Sequence, residues 1–154
     1  MKILFIASTG GHLEELLQLS DLLAKSDSWV VTEKTKSTLH LKAGKHPVSF
    51  LVFGTKDHWL VYPFKFLYNC IRSLILYLRI KPDAIITTGT HTAVPMCYWG
   101  KLLGAKIIYI ETFANITTKT LSGRLVYPIA DLFIVQWHSM QELYPKAVVG
   151  GWIF

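Results

Sequence analysis

The sequence predicts an α/β fold, a doubly wound parallel sheet within one domain. Three observations carry this expectation. Apolar and β-branched runs of strand length alternate with runs of helical periodicity along the whole chain. Two strand-to-helix turns, at 8–12 and 88–95, combine glycine, hydroxyl and histidine side chains where such sheets place their ligand crevice. The chain has 154 residues with no internal repeat or linker, a size that suits one core.

Composition narrows the partners. Hydrophobic residues make up 51% and charged residues 17% of the chain, where a soluble domain usually carries ~25% charged. Such an apolar excess points to a membrane or partner surface. The net charge of +6 favours anionic partners. The basic residues are scattered, without a nucleic-acid module signature, so lipid or phosphorylated ligands are expected and nucleic acid is not. Cys70 and Cys97 lack paired spacing and read as reduced, buried thiols of a cytosolic protein. Met1-Lys2 leads straight into an apolar strand, so no signal peptide is expected.

The first strand is Lys2-Ile3-Leu4-Phe5-Ile6-Ala7, a continuous run of the kind buried on both faces. It enters Ser8-Thr9-Gly10-Gly11-His12 and then an amphipathic helix. A helix N-terminus offers unpartnered N–H groups and partial positive charge to an anion. Glycines allow close backbone approach. His12 stands at the mouth, where a base or a phosphate contact is useful. The competing reading is a turn that needs glycine only to bend, with His12 as a solvated cap. Leu13, Leu16, Leu17, Leu23 and Ala24 predict one packing helix ending near 25–27. Trp29-Val30-Val31-Thr32 is a second strand, 34–45 is polar with room for a short helix, and 48–53 is a third strand closed by Gly54.

Residues 59–80 break the pattern. Lys65, Arg72 and Arg79 recur every seven residues among aliphatic and aromatic side chains. A spanning helix needs ~20 mainly apolar residues, and cations inside it are costly. The stripe predicts a helix lying in the membrane interface, with Trp59, Tyr62, Phe64, Phe66, Leu67, Ile71, Leu74 and Leu78 entering the acyl boundary. Pro63 suits its first turn. A core helix covered by protein is the competing reading.

Residues 84–87 form a fourth strand, followed by Thr88-Gly89-Thr90-His91-Thr92-Ala93-Val94-Pro95. In a doubly wound sheet this loop and 9–12 face one ligand. A helix over 96–103 ends at Gly104. Residues 105–110 form a fifth strand with Glu111 and Thr112 at its carboxyl end, where a carboxylate serves proton transfer or caps the next turn. A polar loop at 117–120, a helix over 121–129, a strand at 132–135, a helix at 138–143, a strand at 147–149 and the apolar tail 150–154 complete the chain.

Ser8-Thr9-Gly10-Gly11-His12 resembles the glycine loop of the family that includes the lipid II-forming N-acetylglucosaminyltransferase of peptidoglycan synthesis. The loop 88–95 is similar to its second glycine loop, with fewer glycines. Residues 104–111 resemble the strand that follows. Tyr144-Pro145-Lys146-Ala147-Val148-Val149-Gly150-Gly151 resembles the crossing to that enzyme's second domain, after which this sequence stops. A lone acceptor-side half resembles the accessory subunits of split glycosyltransferases. These include the membrane-recruiting subunit of the dolichol-pathway N-acetylglucosaminyltransferase. The resemblance is closer still, over essentially the whole chain, to the bacterial capsule and exopolysaccharide subunits called β-1,4-galactosyltransferase enhancers. It is clearest at 88–95, 108–113 and 122–137.

That resemblance implies a Rossmann-like, N-terminal-type GT-B half-domain over 1–154. It implies a heteromer, inactive as a lone chain, that uses a UDP-sugar of galactosyl or N-acetylglucosaminyl type. The chain would bind a polyprenyl-diphosphate-linked sugar at the cytoplasmic face of the cell membrane, and a separate subunit would bind the donor. Thr9, Gly10, Gly11, Gly89, Thr90, His91 and Thr92 are expected at the acceptor diphosphate. His12 is the candidate base, with Glu111 second. Without the N-terminal spanning helix of many eukaryotic relatives, anchoring falls to 59–80 through Trp59, Lys65, Phe66, Arg72 and Arg79. Trp152, Ile153 and Phe154 are expected to dock on the donor subunit as an apolar patch, the competing reading being a tail that folds back on its own last helix. No cofactor and no metal are expected. Three alternatives compete. A self-sufficient nucleotide enzyme needs a Gly-x-Gly-x-x-Gly turn that the sequence lacks. A hydrolase needs a nucleophile elbow, also missing. A non-catalytic membrane adaptor needs neither.

Overall fold

The computed structural model describes residues 1–54 and 60–153. Among them the elements run β1 (Lys2–Ala7), α1 (Gly11–Leu17), α2 (Ser20–Lys25), β2 (Asp27–Lys34), β3 (Val48–Val52), α3 (Tyr62–Ile80) and β4 (Ala84–Gly89). Then follow α4 (Val94–Leu102), β5 (Lys106–Ile110), α5 (Leu121–Val126), β6 (Leu132–Val135), α6 (His138–Leu143) and β7 (Val148–Val149). The strands form one seven-stranded sheet in the order β3-β2-β1-β4-β5-β6-β7. Every pairing is parallel. The order reverses between β1 and β4, which opens a crevice at their carboxyl ends.

The period of two along β1 divides its side chains between two cores. Leu4 and Ile6 join Ile85, Ile107, Met96 and Tyr77 on one face. Ile3 and Phe5 join Val30, Ile86, Leu16 and Leu23 on the other. The α/β, Rossmann-like expectation is therefore met, and continuous apolar strands were its correct signal.

Several local expectations change. The single helix predicted after His12 is two helices. The chain tightens where Gln18 N–H bonds to Glu15 O and Leu19 N–H to Leu16 O, both at 3.2 Å, an i→i−3 pattern that ends an α-helix. No helix forms at 34–45. There the Thr38 hydroxyl donates to Glu33 O at 2.5 Å and Thr35 N–H donates to Thr38 Oγ1 at 2.9 Å, so side chains compete for the backbone. Strand β2 runs to Lys34 rather than stopping at Thr32, which carries Glu33 to the crevice.

Helix α3 starts at Tyr62, later than the expected 59, and has Pro63 in its first turn as predicted. Asn69 clamps it to β3 by accepting from Val52 N–H at 2.9 Å and donating to Val52 O at 2.8 Å. Lys65 Nζ donates to Phe53 O at 3.2 Å. Ser73, Leu76, Tyr77 and Ile80 are buried against the body. Phe64, Leu67, Tyr68, Ile71, Ile75 and Leu78 are each more than half exposed. Tyr62, Phe66 and Leu74, expected in the acyl layer, are half-buried instead. Arg79 is exposed, while Lys65 and Arg72 are half-buried. Trp59 lies outside the described residues. Among those residues no helix is long and apolar enough to cross a membrane.

Candidate functional site

The site is built where β1 and β4 end. Ala7 pairs with Gly89, and Ser8 N–H donates to Gly89 O at 3.1 Å. The loop after β1 turns at Gly10, whose φ of +83° suits glycine. A Cβ placed at Gly10 or Gly11 would meet nothing within 4 Å, so the space above both is open. Gly89 differs. Its φ is +98°, and a Cβ there would lie 3.0 Å from Tyr109 Oη and 3.6 Å from His12 Nδ1.

His12 is held between the two loops. Its Nδ1 is 2.8 Å from Thr88 O, and its own carbonyl accepts from the Thr88 hydroxyl at 2.6 Å. A carbonyl oxygen only accepts, so Nδ1 carries the proton in this contact. In the neutral ring Nε2 then holds the lone pair, as in a histidine oriented for base work.

A residue missed by sequence reasoning ties the loops together. Glu33 is 1% exposed. Its carboxylate accepts from Thr9 N–H at 3.2 Å and from the Thr92 hydroxyl at 2.6 Å, and it lies 3.7 Å from His91 Nε2. Thr92, expected at the diphosphate, is thus buried and committed to Glu33. Thr90 donates to Ser8 Oγ at 3.0 Å, and His91 packs beside the Tyr62 ring at 5.7 Å between centroids. The open rim consists of Gly10, Gly11, His12, Thr90 and His91. The signal for Glu33 was a carboxylate directly after a β-branched strand neighbouring β1.

Glu111 occupies a different setting. It is 1% exposed, accepts from Thr120 Oγ1 at 2.8 and 3.1 Å, and accepts from Tyr144 Oη at 2.8 Å. Thr112 N–H adds a bond at 3.2 Å. Both oxygens are engaged, which anchors the loop into α5 rather than presenting a base. Of the two readings the sequence offered, the geometry matches the turn-holding one. Burial first, and then the Glu111 charge, push the Tyr109 and Tyr144 phenols up, so both remain O–H donors. A Cβ on Gly123 would collide with Glu111 Oε2.

Glu15 is a second missed carboxylate. It accepts from Phe113 N–H at 2.7 Å and Thr112 Oγ1 at 3.0 Å. Burial raises its pKa against the opposing pull of these two bonds. Among the described residues no group of three or more His, Cys, Asp or Glu is placed to hold a metal ion.

A cavity of about 280 Å³ opens beside this rim, between Tyr62 and Phe66 of α3, Val94 of α4, and Leu121 and Leu125 of α5. Thr90, His91, Thr120 and Ser122 form its polar end. The tail lies elsewhere. Trp152 is 64% exposed and packs against Phe113 and Trp137 at 5.7 and 5.2 Å between centroids. Ile153 N–H donates to Gln136 Oε1 at 3.0 Å, and its side chain packs on the second core. The tail therefore folds back on its own chain, and Ile153 is committed there. Phe154 lies outside the described residues.

The family described as "Oligosaccharide biosynthesis protein Alg14 like" matches residues 53–153. A "UDP-N-acetylglucosamine transferase subunit ALG14" of Mus musculus is 32% identical over 98% of this chain and 82% of its own length. That of Candida albicans is 30% identical over 95% and 75%. Among solved structures, MurG of Acinetobacter baumannii superposes with a TM-score of 0.72 at 18% identity, over 98% of this chain and 44% of that one. A UDP-GlcNAc 2-epimerase of Neisseria meningitidis gives 0.76 at 15%, over 99% and 47%. These likenesses establish the fold, and the chain spans about half the length of those structures.

Proposed function

The chain belongs to the Alg14-like family of oligosaccharide biosynthesis proteins, and on that premise we propose that it is the accessory, acceptor-binding subunit of a two-component glycosyltransferase. One observation carries this reading. Two glycine loops meet at the switch point with His12 held between them and open space over Gly10 and Gly11. The acceptor is a polyprenyl-diphosphate-linked sugar, and the donor, a UDP-sugar, is held by a second subunit. The whole chain, 1–154, is the acceptor-side half of a GT-B cleft. The relatives' names favour N-acetylglucosaminyl over galactosyl transfer. The capsule or exopolysaccharide repeat unit as product rests on the sequence resemblance alone. The exposed apolar row of α3 supports attachment to the cytoplasmic membrane surface.

In this reading the acceptor hydroxyl attacks the anomeric carbon of the donor sugar while the bond to UDP breaks. His12 Nε2 takes the hydroxyl proton, oriented by its Nδ1–H bond to Thr88 O. The diphosphate of the acceptor lies over Gly10 and Gly11, close to Thr90 and His91. Glu33 and Glu111 act as positioning residues that hold the loops.

The test is co-expression with candidate donor subunits, followed by transfer assays over UDP-sugars and lipid-linked acceptors. His12→Ala is expected to lower kcat by ~10²–10⁴-fold with acceptor KM little changed. Wild-type turnover in that variant would remove the base and favour a non-catalytic adaptor.

A further inference from the structure

We infer that the apolar trough between α3 and α4 binds the first isoprene units of a polyisoprenoid diphosphate, and so takes the lipid part of the acceptor as well as its head. The inference rests on the acceptor reading above. The cavity at the candidate site shares Phe66 and Val94 with a second one of about 450 Å³, lined by Cys70, Pro95, Tyr98, Trp99 and Leu102. The two lie end to end along the same pair of helices. From Val94 to Leu102 the α4 rise alone is about 12 Å.

The chemistry changes along this path. At the inner end Thr90, Thr120 and Ser122 line the wall with hydroxyls bonded to Ser8, Glu111 and Tyr109, and Ser122 Oγ lies 3.3 Å from where a Cβ on Gly89 would stand. The diphosphate loops are thus next to the cavity mouth. Beyond Phe66 the walls are aliphatic and aromatic. The indole and phenol donors there are already used. Trp99 Nε1 donates to Cys70 O at 3.0 Å, and Tyr98 Oη donates to Leu125 O at 2.8 Å. A wall that asks for no hydrogen bonds suits a hydrocarbon chain. The outer mouth is marked by Leu102, 75% exposed. One molecule with a charged head and a long branched hydrocarbon fits this sequence of surfaces. A partner helix would meet the polar inner end without matching it.

The test uses the full chain and three probes: geranylgeranyl diphosphate, palmitoyl phosphate and inorganic diphosphate. Titration calorimetry is expected to give at least tenfold tighter binding of the isoprenoid than of either other probe. Tenfold is about the weight of two buried methylene groups. Leu125→Trp fills the first cavity from a position 42% exposed, and is expected to bring the isoprenoid to the level of inorganic diphosphate. Leu102→Glu charges the outer mouth and is expected to weaken the isoprenoid alone. Circular dichroism checks both folds, and a photoreactive isoprenoid diphosphate is expected to label α3 and α4 in the wild-type chain whatever the variants do. Equal binding of all probes, palmitoyl phosphate binding as tightly as the isoprenoid, or labelling elsewhere would overturn the inference. Failure of the acceptor reading looks different: no co-expressed complex transfers sugar to any lipid-linked acceptor. If transfer occurs and Leu125→Trp leaves the acceptor KM unchanged, the trough is wrong and the acceptor reading stands.

Discussion

At Gly89, with φ at +98°, a Cβ would stand within 4 Å of Tyr109, Ser122 and His12. Any Cβ there meets both backbone strain and the Tyr109 hydroxyl at 3.0 Å. Gly89→Ala is therefore expected to lower stability by about 1–3 kcal/mol, read as a fall in the urea midpoint. A wild-type midpoint would show that the loop relaxes freely. Gly11 is the contrast, because its Cβ position is open and its φ is ordinary. Gly11→Val is expected to keep the fold within about 1 kcal/mol while removing acceptor binding, which calorimetry with a diphosphate-bearing acceptor checks. Retained binding would place the diphosphate elsewhere. These residues were legible in the sequence because strand, glycine and histidine occur in a fixed local order. Glu33 was not, since its partners Thr9 and Thr92 are brought to it only by sheet order. Thr92 was misread for the same reason: local pattern does not say which hydroxyl of a loop points inward.

At the scale of elements, Asp131, just ahead of β6, ties β5 to α4. Its carboxylate accepts from Ile107 N–H of β5 at 2.9 Å and pairs with Lys101 of α4 at 3.0 Å and Lys106 at 3.2 Å. Burial pushes its pKa up, but the Ile107 N–H and then the two lysines outweigh this and bring it to about 2. A depressed carboxyl stabilises the fold above its unfolded value near 3.8, and that contribution disappears as pH falls toward about 2. Asp131→Asn is expected to cost about 1 kcal/mol at pH 7, since both lysines are exposed and screened by solvent. The gap from wild type should close on acidification, as measured by urea melts between pH 7 and pH 2. A gap that stays constant would remove the charge argument. Replacing Lys65, Arg72 and Arg79 of α3 by Glu should abolish flotation with anionic vesicles, each cation being worth ~1 kcal/mol near such a surface. Unchanged flotation would overturn the interfacial-helix reading. The sequence placed this helix and its proline correctly. It could not tell which apolar side meets α4, because Phe66 and Phe64 look alike until the sheet fixes the rotation of the helix.

At the scale of the whole molecule, the sheet places the rim of the candidate site at one end of the strands. The proposed inter-sugar transfer needs a donor opposite that rim, and among the described residues none forms a second lobe. The contact with such a lobe should use apolar surface near the β5–β6 side. Trp152 is the strongest candidate. Its ring rests on Phe113 and Trp137 yet stays 64% exposed. Three aromatic rings that expose one edge make an anchor of the kind that dominates interfaces. Ile153 is not part of it, being held by Gln136 and the second core. Trp152→Ala is expected to weaken co-purification of the donor subunit by about thirtyfold or more, in line with a hot-spot loss of about 2 kcal/mol or more. The isolated variant should keep its circular dichroism spectrum, because the exposed ring covers little of the core. Deleting 152–154 tests the same surface more severely and also removes the Ile153 bond to Gln136. If the deletion loses partner binding while Trp152→Ala keeps it, the tail acts by holding the loop rather than by docking. If both retain the partner, the donor subunit approaches through another face.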